Sequence, residues 1–364
     1  MFTRNFLNFF SSQYNMLAIK VPLKEAEKAK QFLMKKGLLD KRYSVARQVP
    51  CRAQHDSAVA KQPACILFPV LKRFTSKYPF VEVQLKARRL KAQDLKSSLE
   101  KELSEKELAK VKSSLDVVGD IGIIEVANEL QQRAQLIAKH LLQSRPSIKT
   151  VLQKGKHEGE LRVQKLAFLA GEDTRETTHK ENGVRIHVNV ETVYFSPRLS
   201  EDRKRIAEQI KPNEKVLVMF SGCGVYPVVF AKKSRAKEIV GIELNPQGHR
   251  YAQENIRLNK VKNVRFYEGD VRKVLPKLDE KFDRILMPLP HSAEAFLTLA
   301  LSVANPDAII HFYDIEKEGE LDQAKEKVRA ACKALNRSCR VLRLVKCGQV
   351  GQRLFRLCVD AKVG

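Results

Sequence analysis

Four short segments in the second half of this sequence carry residues whose types and order can bind a nucleotide. The first is Ser221-Gly222-Cys223-Gly224, which follows the apolar run 215–220 and precedes a helical stretch. Glycines let the backbone pass close to a ligand, and the N–H groups that open a helix point at that ligand. In an open sheet such a turn borders a crevice. A purely structural turn is the alternative, because a single Gly-x-Gly is weak evidence.

Two acids follow, one on each of the next two apolar runs. Glu243 ends the run 238–243 and lies about 20 positions after Gly222, the spacing expected of a carboxylate that accepts from ribose hydroxyls. Asp270 comes directly after the run 264–269, at a position where a carboxylate can accept a hydrogen bond from an adenine amino group. The alternatives are a common turn and acids that favour a helix dipole. In this order, the three segments predict a site for S-adenosylmethionine rather than for a dinucleotide.

The fourth segment, residues 287–296, follows another apolar run and contains Pro288 and Pro290. Each proline fixes φ and lacks an N–H, so the loop is rigid and can present carbonyl groups to a target base. An ordinary exit from a strand is the alternative.

The four segments need a sheet to bring them together. Strand-like runs alternate with helical stretches, which predicts a parallel, doubly wound sheet; these runs are 215–220, 238–243, 264–269, 283–288 and 308–313. The last two runs, 340–346 and 353–360, are joined by a link too short for a parallel return, so they form an antiparallel hairpin. We therefore predict the fold class as α/β, with a class I, Rossmann-like S-adenosylmethionine-dependent methyltransferase domain.

The upstream sequence predicts further elements. A strand over 16–21, a helix over 23–36 and an apolar run at 65–70 indicate a small N-terminal α/β domain. The hydrophobic and β-branched patterns after residue 75 predict an α+β middle region. Its expected elements are a solvated helix within 86–112, paired strands over 114–126 and a helix over 127–143. Residues 149–195 should be mainly strands, around a turn-rich segment at 171–183. The predicted divisions are an extension (1–15), the small domain (16–75), the middle region (76–198) and the methyltransferase domain (199–364).

Composition indicates the class of partner. Lys and Arg number 67 against 42 Asp and Glu, a net charge of +25, which favours nucleic acid over membrane surfaces and acidic proteins as the partner. None of the seven cysteines forms a Cys-x-x-Cys pair, so we expect thiols in a reducing compartment and no metal. We expect a monomer in the cytoplasm without a membrane span; a mitochondrial location is the alternative if residues 1–15 are a transit peptide.

One run of residues, HKENGVRIHVNVETVYFSPRLSEDRKRI (179–206), closely resembles the hallmark of the archaeal and eukaryotic tRNA guanine-N1 methyltransferases that act at position 37. The four segments above resemble that family's cofactor and active-site loops, in order. The resemblance covers residues 16–362, and VYFSPRL is its most specific piece.

The resemblance implies methyl transfer from S-adenosylmethionine to N1 of the guanosine next to the anticodon of tRNA. The N-terminal domain would touch the outer corner of the tRNA. The family's base corresponds to Asp202, with its neighbour Glu201 as the fallback, and the arginine that stabilises charge on O6 corresponds to Arg162. The implied catalytic set is Arg162, Asp202, Glu201, Tyr194, Pro288 and Pro290.

By the same resemblance, Tyr194 and Pro197 border the methionine end of the cofactor, and Arg203 lies beside it. Pro288 stands where the family frequently has asparagine, so it can act only through its carbonyl group. The implied cofactor-binding set is Tyr194, Pro197, Arg203, Phe220, Gly222, Gly224, Glu243, Leu244, Asn245, Asp270, Val271 and Pro288.

Three other functions stay open on the sequence alone. A sister enzyme of wyosine synthesis transfers the aminocarboxypropyl group of the same cofactor, but it should lack the SPRL motif. An archaeal bifunctional form also methylates C7 of a wyosine precursor. A non-catalytic RNA-binding protein on a methyltransferase fold is the third, and a ribosomal RNA methyltransferase is more distant.

Overall fold

The computed structural model describes residues 14–40, 45–48, 65–85, 95–112, 114–158 and 163–364. Most of the predicted extension and the start of the predicted helix at 86–112 lie outside these residues. Contacts divide the chain into two compact units, residues 1–94 and residues 95–364. Within the described parts, no helix is long and apolar enough to cross a membrane. The six described cysteines are free thiols.

The first unit is an antiparallel sheet, in the order β2-β3-β1-β4, with one helix packed on it. Its elements are β1 (Tyr14–Pro22), α1 (Ala26–Lys35), β2 (Ala46–Gln48), β3 (Cys65–Pro69) and β4 (Phe80–Leu85). The predicted strand, helix and apolar run are confirmed. The unit extends beyond the predicted boundary at residue 75, because β4 pairs with β1 along six residues. β1 also begins two residues inside the predicted extension.

The charged stretch after residue 94 does not form the single helix that we predicted. Its described part forms α2 (Leu95–Leu99) and α3 (Glu105–Lys110). Ser104 caps the start of the second helix, because its hydroxyl accepts from the N–H of Glu107 while the Glu107 carboxylate accepts from the N–H of Ser104. Leu99 and Leu103 are buried in a core, so this stretch is not simply a solvated face.

The predicted strand pair at 114–126 and the following helix are confirmed. A four-stranded sheet in the order β5-β6-β7-β8 packs against α4. The elements are β5 (Leu115–Val118), β6 (Ile121–Ile124), α4 (Ala134–Ser144), β7 (Thr150–Glu158) and β8 (Val163–Gly171).

Two details of the predicted middle region are wrong. The turn-rich segment 171–183 contains a strand, β9 (Glu176–Glu181), which pairs with β10 (Val184–Asn189). Residues 192–195, predicted as a strand, form a loop instead. The side-chain oxygen of Asn189 accepts from the N–H groups of residues 191 and 192 and turns the chain, which overrides their β propensity. The loop leads through a 3₁₀ turn into α5 (Ser200–Ala207).

The largest sheet has the doubly wound topology that the sequence predicted. Its elements are β11 (Lys215–Val218), α6 (Val225–Lys233), β12 (Glu238–Glu243), α7 (Pro246–Asn259), β13 (Val264–Glu268), α8 (Val271–Leu278), β14 (Phe282–Met287), α9 (Leu297–Ser302), β15 (Ala304–Lys317), α10 (Gln323–Ala334), β16 (Cys339–Gly351) and β17 (Leu354–Val363). The strand order is β13-β12-β11-β14-β15-β17-β16, with β17 antiparallel to both neighbours. The order reverses direction between β11 and β14, which places a crevice at the carboxyl ends of these strands.

The β9–β10 hairpin is fixed to this sheet by side-chain amides of α7. The Asn255 side chain exchanges two hydrogen bonds, of 2.7 and 2.9 Å, with the backbone of His187, and the Asn259 side chain does the same with Arg185. The predicted boundary between residues 198 and 199 therefore falls inside one compact unit, residues 95–364.

Candidate active site

A cavity of about 700 Å³ lies at the carboxyl ends of β11, β12, β13 and β14. Every one of the four sequence segments contributes to it, so the sheet brings them together as predicted. Eleven of the predicted site residues line this cavity: Tyr194, Arg203, Phe220, Gly222, Glu243, Leu244, Asn245, Asp270, Val271, Pro288 and Pro290.

The two glycines of the turn, Gly222 and Gly224, have different surroundings. Gly222 has a φ of +56° and borders the cavity, and a Cβ added there would meet only the Tyr194 carbonyl oxygen, at 3.7 Å. Gly224, with a φ of +77°, does not line the cavity, and a Cβ there would lie 2.6 Å from the Phe266 ring. The predicted cofactor contact of Gly224 stays a prediction. In this structure Gly224 lets α6 begin against that ring.

Glu243 is held at the end of β12 by backbone donors. Its two carboxylate oxygens accept from the N–H of Gly222 at 2.6 Å and from the N–H of Asn245 at 2.8 Å. Burial raises the pKa of the Glu243 carboxyl, and these N–H groups offset part of the rise. Each oxygen keeps a second lone pair, so the carboxylate can accept two hydroxyl groups from the cavity.

Asp270 opens α8, and its carboxylate is largely engaged by a neighbour. Its Oδ1 accepts from the N–H of Arg272 at 2.9 Å, and the Arg272 guanidinium donates to both oxygens at 2.5 to 3.0 Å. These hydrogen bonds lower the pKa of Asp270. The guanidinium also lies 5.7 Å from the Phe296 ring, which is edge-on to Phe220. Together these groups give this part of the cavity an apolar wall with a polar edge.

The loop 193–199 contributes to the same lining and is fixed by Arg203. This arginine is 1% exposed and pairs with Glu181 through two hydrogen bonds, of 2.6 and 2.5 Å. It also donates to the Ser196 carbonyl at 3.0 Å and lies about 5.5 Å from the rings of Phe195 and Tyr226. Arg203 reaches the cavity as predicted, but most of its donors are used to hold the loop in place.

Asp202 lies behind the cavity rather than in its lining. Its carboxylate accepts from the Tyr313 hydroxyl and, at 2.8 Å, from Nε of Arg205. Tyr313 does line the cavity, and its hydroxyl accepts from that of Tyr226 at 3.3 Å. Burial raises the pKa of Tyr313 well above its usual value. Glu201 is exposed and does not line the cavity, whereas Asp202 contacts the lining residue Tyr313.

A second cavity of about 440 Å³ adjoins the first. The two share six lining residues: Val193, Tyr194, Phe195, Ser196, His291 and Arg356. Pro197 lines the second cavity and not the first, and its predicted place beside the cofactor stays a prediction. Residues of β5, β6, β7, β8, β16 and β17 also line the second cavity. Arg162 lies outside the described residues.

Behind Asp202 the charges continue as a buried chain. Arg205 donates to Asp360 at 2.5 Å, Asp360 accepts from His311 at 2.7 Å, and the other nitrogen of His311 accepts from Arg284 at 2.7 Å. Burial lowers the pKa of His311, so the ring is neutral and its Nδ1–H faces Asp360. Burial alone would raise the pKa of Asp360, but His311 and Arg205 hold it well below its usual range.

The spacing of His311, Cys358 and Asp360 would allow a metal ion, because one ligand atom of each lies within 4.8 Å of the others. Hydrogen bonds from two arginines also account for the close spacing of these side chains. The imidazole acceptor is used by Arg284, a carboxylate oxygen is used by Arg205, and both guanidinium groups repel a cation.

Three family models match consecutive parts of the sequence. The TRM5/TYW2 methyltransferase domain matches residues 177–342, the TYW2 N-terminal domain matches residues 95–174, and the tRNA methyltransferase 5 N-terminal domain matches residues 18–51. The tRNA (guanine(37)-N(1))-methyltransferase Trm5b of Pyrococcus abyssi is 35% identical over 310 residues, which are 84% of this chain and 86% of that protein. The chain belongs to the TRM5/TYW2 methyltransferase family.

Solved structures of TRM5/TYW2 family members share the fold. The crystal structure of Trm5b from Pyrococcus abyssi matches with a TM-score of 0.71 and 32% identity, over 96% of this chain and 99% of that one. The structure of aTrm5 in complex with tRNALeu matches with a TM-score of 0.70 and 28% identity, over 96% and 100%. The predicted fold class, with its Rossmann-like sheet and separate N-terminal domain, is confirmed.

The family also contains a different activity. A Pyrococcus horikoshii relative, the tRNA(Phe) (4-demethylwyosine(37)-C(7)) aminocarboxypropyltransferase, is 35% identical over 202 residues, which are 55% of this chain and 71% of that protein. Membership in the TRM5/TYW2 family alone therefore leaves the transferred group open.

Sequence reasoning missed several residues that line this family member's cavities. These are Tyr226, Arg272, Phe296, Tyr313 and Arg356. Phe296 lies in a segment that the sequence singled out, and Tyr226 lies two residues after another, so their positions near these segments could have identified them. Tyr313 and Arg356 lie within predicted strands, where nothing in the local pattern distinguishes a residue facing a cavity from one facing the core.

The packing at Gly224 gives a direct test of the glycine turn. We expect Gly224→Ala to lower the free energy of unfolding by about 3 kcal/mol, from left-handed backbone strain plus a clash with Phe266. Gly319→Ala, at a φ of +97° with nothing within 4 Å, carries the strain alone and should cost about 1 kcal/mol. Urea unfolding measures both, and equal losses would contradict the packing explanation.

Proposed function

We propose that this protein transfers the methyl group of S-adenosylmethionine to N1 of guanosine 37 in tRNA. The observation that carries the proposal is the pair of adjoining cavities: one is built from the four nucleotide-type segments, and the loop with the SPRL motif divides it from the second. The 35% identity to a guanine-N1 methyltransferase over most of both chains supports the same activity.

The first cavity suits the cofactor. Its 700 Å³ lies within the range of small-molecule sites, about 300–1,000 Å³. Glu243 would accept the two ribose hydroxyls, and Phe220, Leu244, Val271 and Phe296 would enclose the adenine ring. The open space above Gly222 lets the ligand approach the backbone. When bound, S-adenosylmethionine supplies a methyl group made electrophilic by its sulfonium.

The chain's own residues would then move one proton. N1 of guanine carries a proton that must leave as the methyl group arrives. The Tyr313 oxygen accepts that proton while the Tyr313 hydroxyl proton passes to Asp202, which accepts from it already. Tyr313 cannot be the base itself, because burial raises the pKa of its hydroxyl and keeps it protonated. Arg205 holds the receiving carboxylate in place.

The basic surface fits a tRNA partner. The net charge is +25, and the lysines on and beside α1 are exposed, which suits phosphate contacts that position RNA without reading its sequence; these are Lys24, Lys28, Lys30, Lys35 and Lys36. The monomeric state, the absence of a metal and the cytoplasmic location stay predictions.

The identity of the modified nucleoside tests the proposal. Purified protein is incubated with methyl-labelled cofactor and unmodified tRNA that carries guanosine at position 37, and the product is digested to nucleosides. We expect N1-methylguanosine. An aminocarboxypropyl adduct or a C7-methylated wyosine precursor would assign the wyosine activities instead. No product together with no cofactor binding by calorimetry would indicate a non-catalytic protein.

Substitutions at Asp202, behind the cavity, and at Tyr313, in its lining, test the proposed proton path. We expect Asp202→Asn to lower the single-turnover rate by about 10³-fold and Tyr313→Phe by about 10²-fold, with cofactor affinity retained in both, because proton removal is lost and binding is not. Tyr267→Phe, which removes a hydroxyl outside the cavity, is the matched control for Tyr313.

Glu201→Gln decides between the two acids. We expect it to remain active, because Glu201 is exposed and away from the cavity. If Glu201→Gln is inactive and Asp202→Asn is active, then the exposed acid is the base and the path through Tyr313 is wrong.

A further inference from the structure

One side of the second cavity is a face of the sheet that contains β5 and β6. Asp116 and Val118 alternate along β5, and Ile123 of β6 is directly opposite Asp116, so the three side chains share a face. All three line the second cavity. Val118 and Ile123 make this face apolar, and Asp116 adds one carboxylate to it. A flat ring that carries a hydrogen-bond donor on its edge suits such a surface.

Asp116 is the acid of this cavity. Within the described ranges of the chain, no other aspartate or glutamate lines it. The Asp116 side chain is 24% exposed, and its Oδ1 accepts from Nε of Arg198 at 2.6 Å. Arg198 is more than half exposed, so the ion pair adds little stability, and its main effect is to orient the carboxylate. The second oxygen, Oδ2, can accept from a ligand.

The other polar side chains of the second cavity are weaker acceptors or cannot accept at all. Its lysine and arginines only donate. Gln164 and Gln349 each donate from the amide nitrogen to a backbone carbonyl, which leaves a neutral oxygen as the acceptor. A hydrogen bond to a charged acceptor is about twice as strong as one to a neutral acceptor. A donor group of a ligand therefore finds its strongest partner at Asp116.

Guanine carries a donor that matches this acceptor. With the base in the second cavity and N1 towards the first, the 2-amino group enters the same cavity, because it is bonded to the carbon next to N1. Adenine has only hydrogen at that carbon. So has hypoxanthine, the base of inosine, which keeps the N1 proton and O6 of guanine. Guanosine and inosine therefore differ in the one group that a carboxylate here would bind.

We infer that Asp116 accepts a hydrogen bond from the 2-amino group of the target guanine and so distinguishes guanosine from inosine. This inference rests on the proposed function. The contact leaves the N1 proton and O6 free, so Asp116 determines which base is methylated and takes no part in proton transfer. Arg198 orients the carboxylate from the loop 193–199, which divides the two cavities.

Two tRNAs that differ only in the base at position 37 test the inference. The kcat/KM of methyl transfer by the full chain is measured with guanosine and with inosine at that position. We expect wild type to prefer guanosine by about 30-fold, the loss typical of removing a hydrogen bond to a charged group. In Asp116→Ala the preference should fall to about threefold or less, because this protein has no contact to lose. Asp116→Asn keeps a neutral oxygen and should retain a preference of about fivefold.

Two control variants separate a contact with the base from a structural role. Arg198→Met removes the partner of Asp116 and leaves the carboxylate, so guanosine should still be preferred by about tenfold, whatever the loss in rate. Glu125→Ala removes another ion-paired acid, directly after β6 and outside both cavities, and should leave both rates unchanged. Each preference is a ratio from one protein preparation, so a reduced folded fraction does not alter it.

The outcomes that overturn the inference are distinct from those that overturn the proposed function. Equal slowing of Asp116→Ala with both tRNAs would give the acid a structural role. Loss of the preference in Arg198→Met to the same extent as in Asp116→Ala would assign it to the ion pair. Wild type that methylates both tRNAs equally well would show that the 2-amino group is not bound. Wild type that methylates neither tRNA at N1 would instead contradict the proposed function.

Discussion

The buried pair of Arg203 and Glu181 is the interaction on which the site depends. Two charges that are 1% and 3% exposed at the side chain are costly to bury, and such a pair is retained only with good geometry and further hydrogen bonds. Here the guanidinium makes two bonds to the carboxylate and a third to the Ser196 carbonyl. The pair connects β9 with α5, and so it fixes the loop 193–199 that divides the two cavities.

Fixing that loop positions groups on both of its sides. Towards the first cavity, the Asn245 side chain donates to the Thr192 carbonyl, so the loop is also attached to the segment that holds Glu243. Towards the sheet, Asp202 lies on α5, shortly after the loop in the chain, and its carboxylate accepts from the Tyr313 hydroxyl. The alternating charges behind it, from Arg205 to Arg284, hold the Asp202 carboxylate in position without lining the cavity. The cofactor site and the proposed proton path are thus both positioned by the Arg203–Glu181 pair.

The sequence predicted the parts of this arrangement that local patterns encode. Apolar runs of alternating type predicted the doubly wound sheet, and the carboxyl ends of its strands brought Gly222, Glu243, Asp270 and Pro288 to one edge. What it missed depends on packing between distant segments. Glu181 lies in a stretch rich in turn formers, and only the partner Arg203 makes it a buried acid. Gly224 has the same residue type as Gly222, but the Phe266 ring beneath it decides its role.

The central claim is that the cofactor and the target base occupy neighbouring cavities on the two sides of the loop 193–199. A crystal structure of the protein with S-adenosylhomocysteine and a tRNA anticodon arm carrying guanosine 37 tests it most directly. The account predicts ribose hydroxyls on Glu243, the guanine ring in the second cavity, and N1 facing the sulfur across the junction beside Tyr194. Guanine bound away from that cavity, or the adenosyl group held by residues other than those at the ends of β11, β12 and β13, would contradict it.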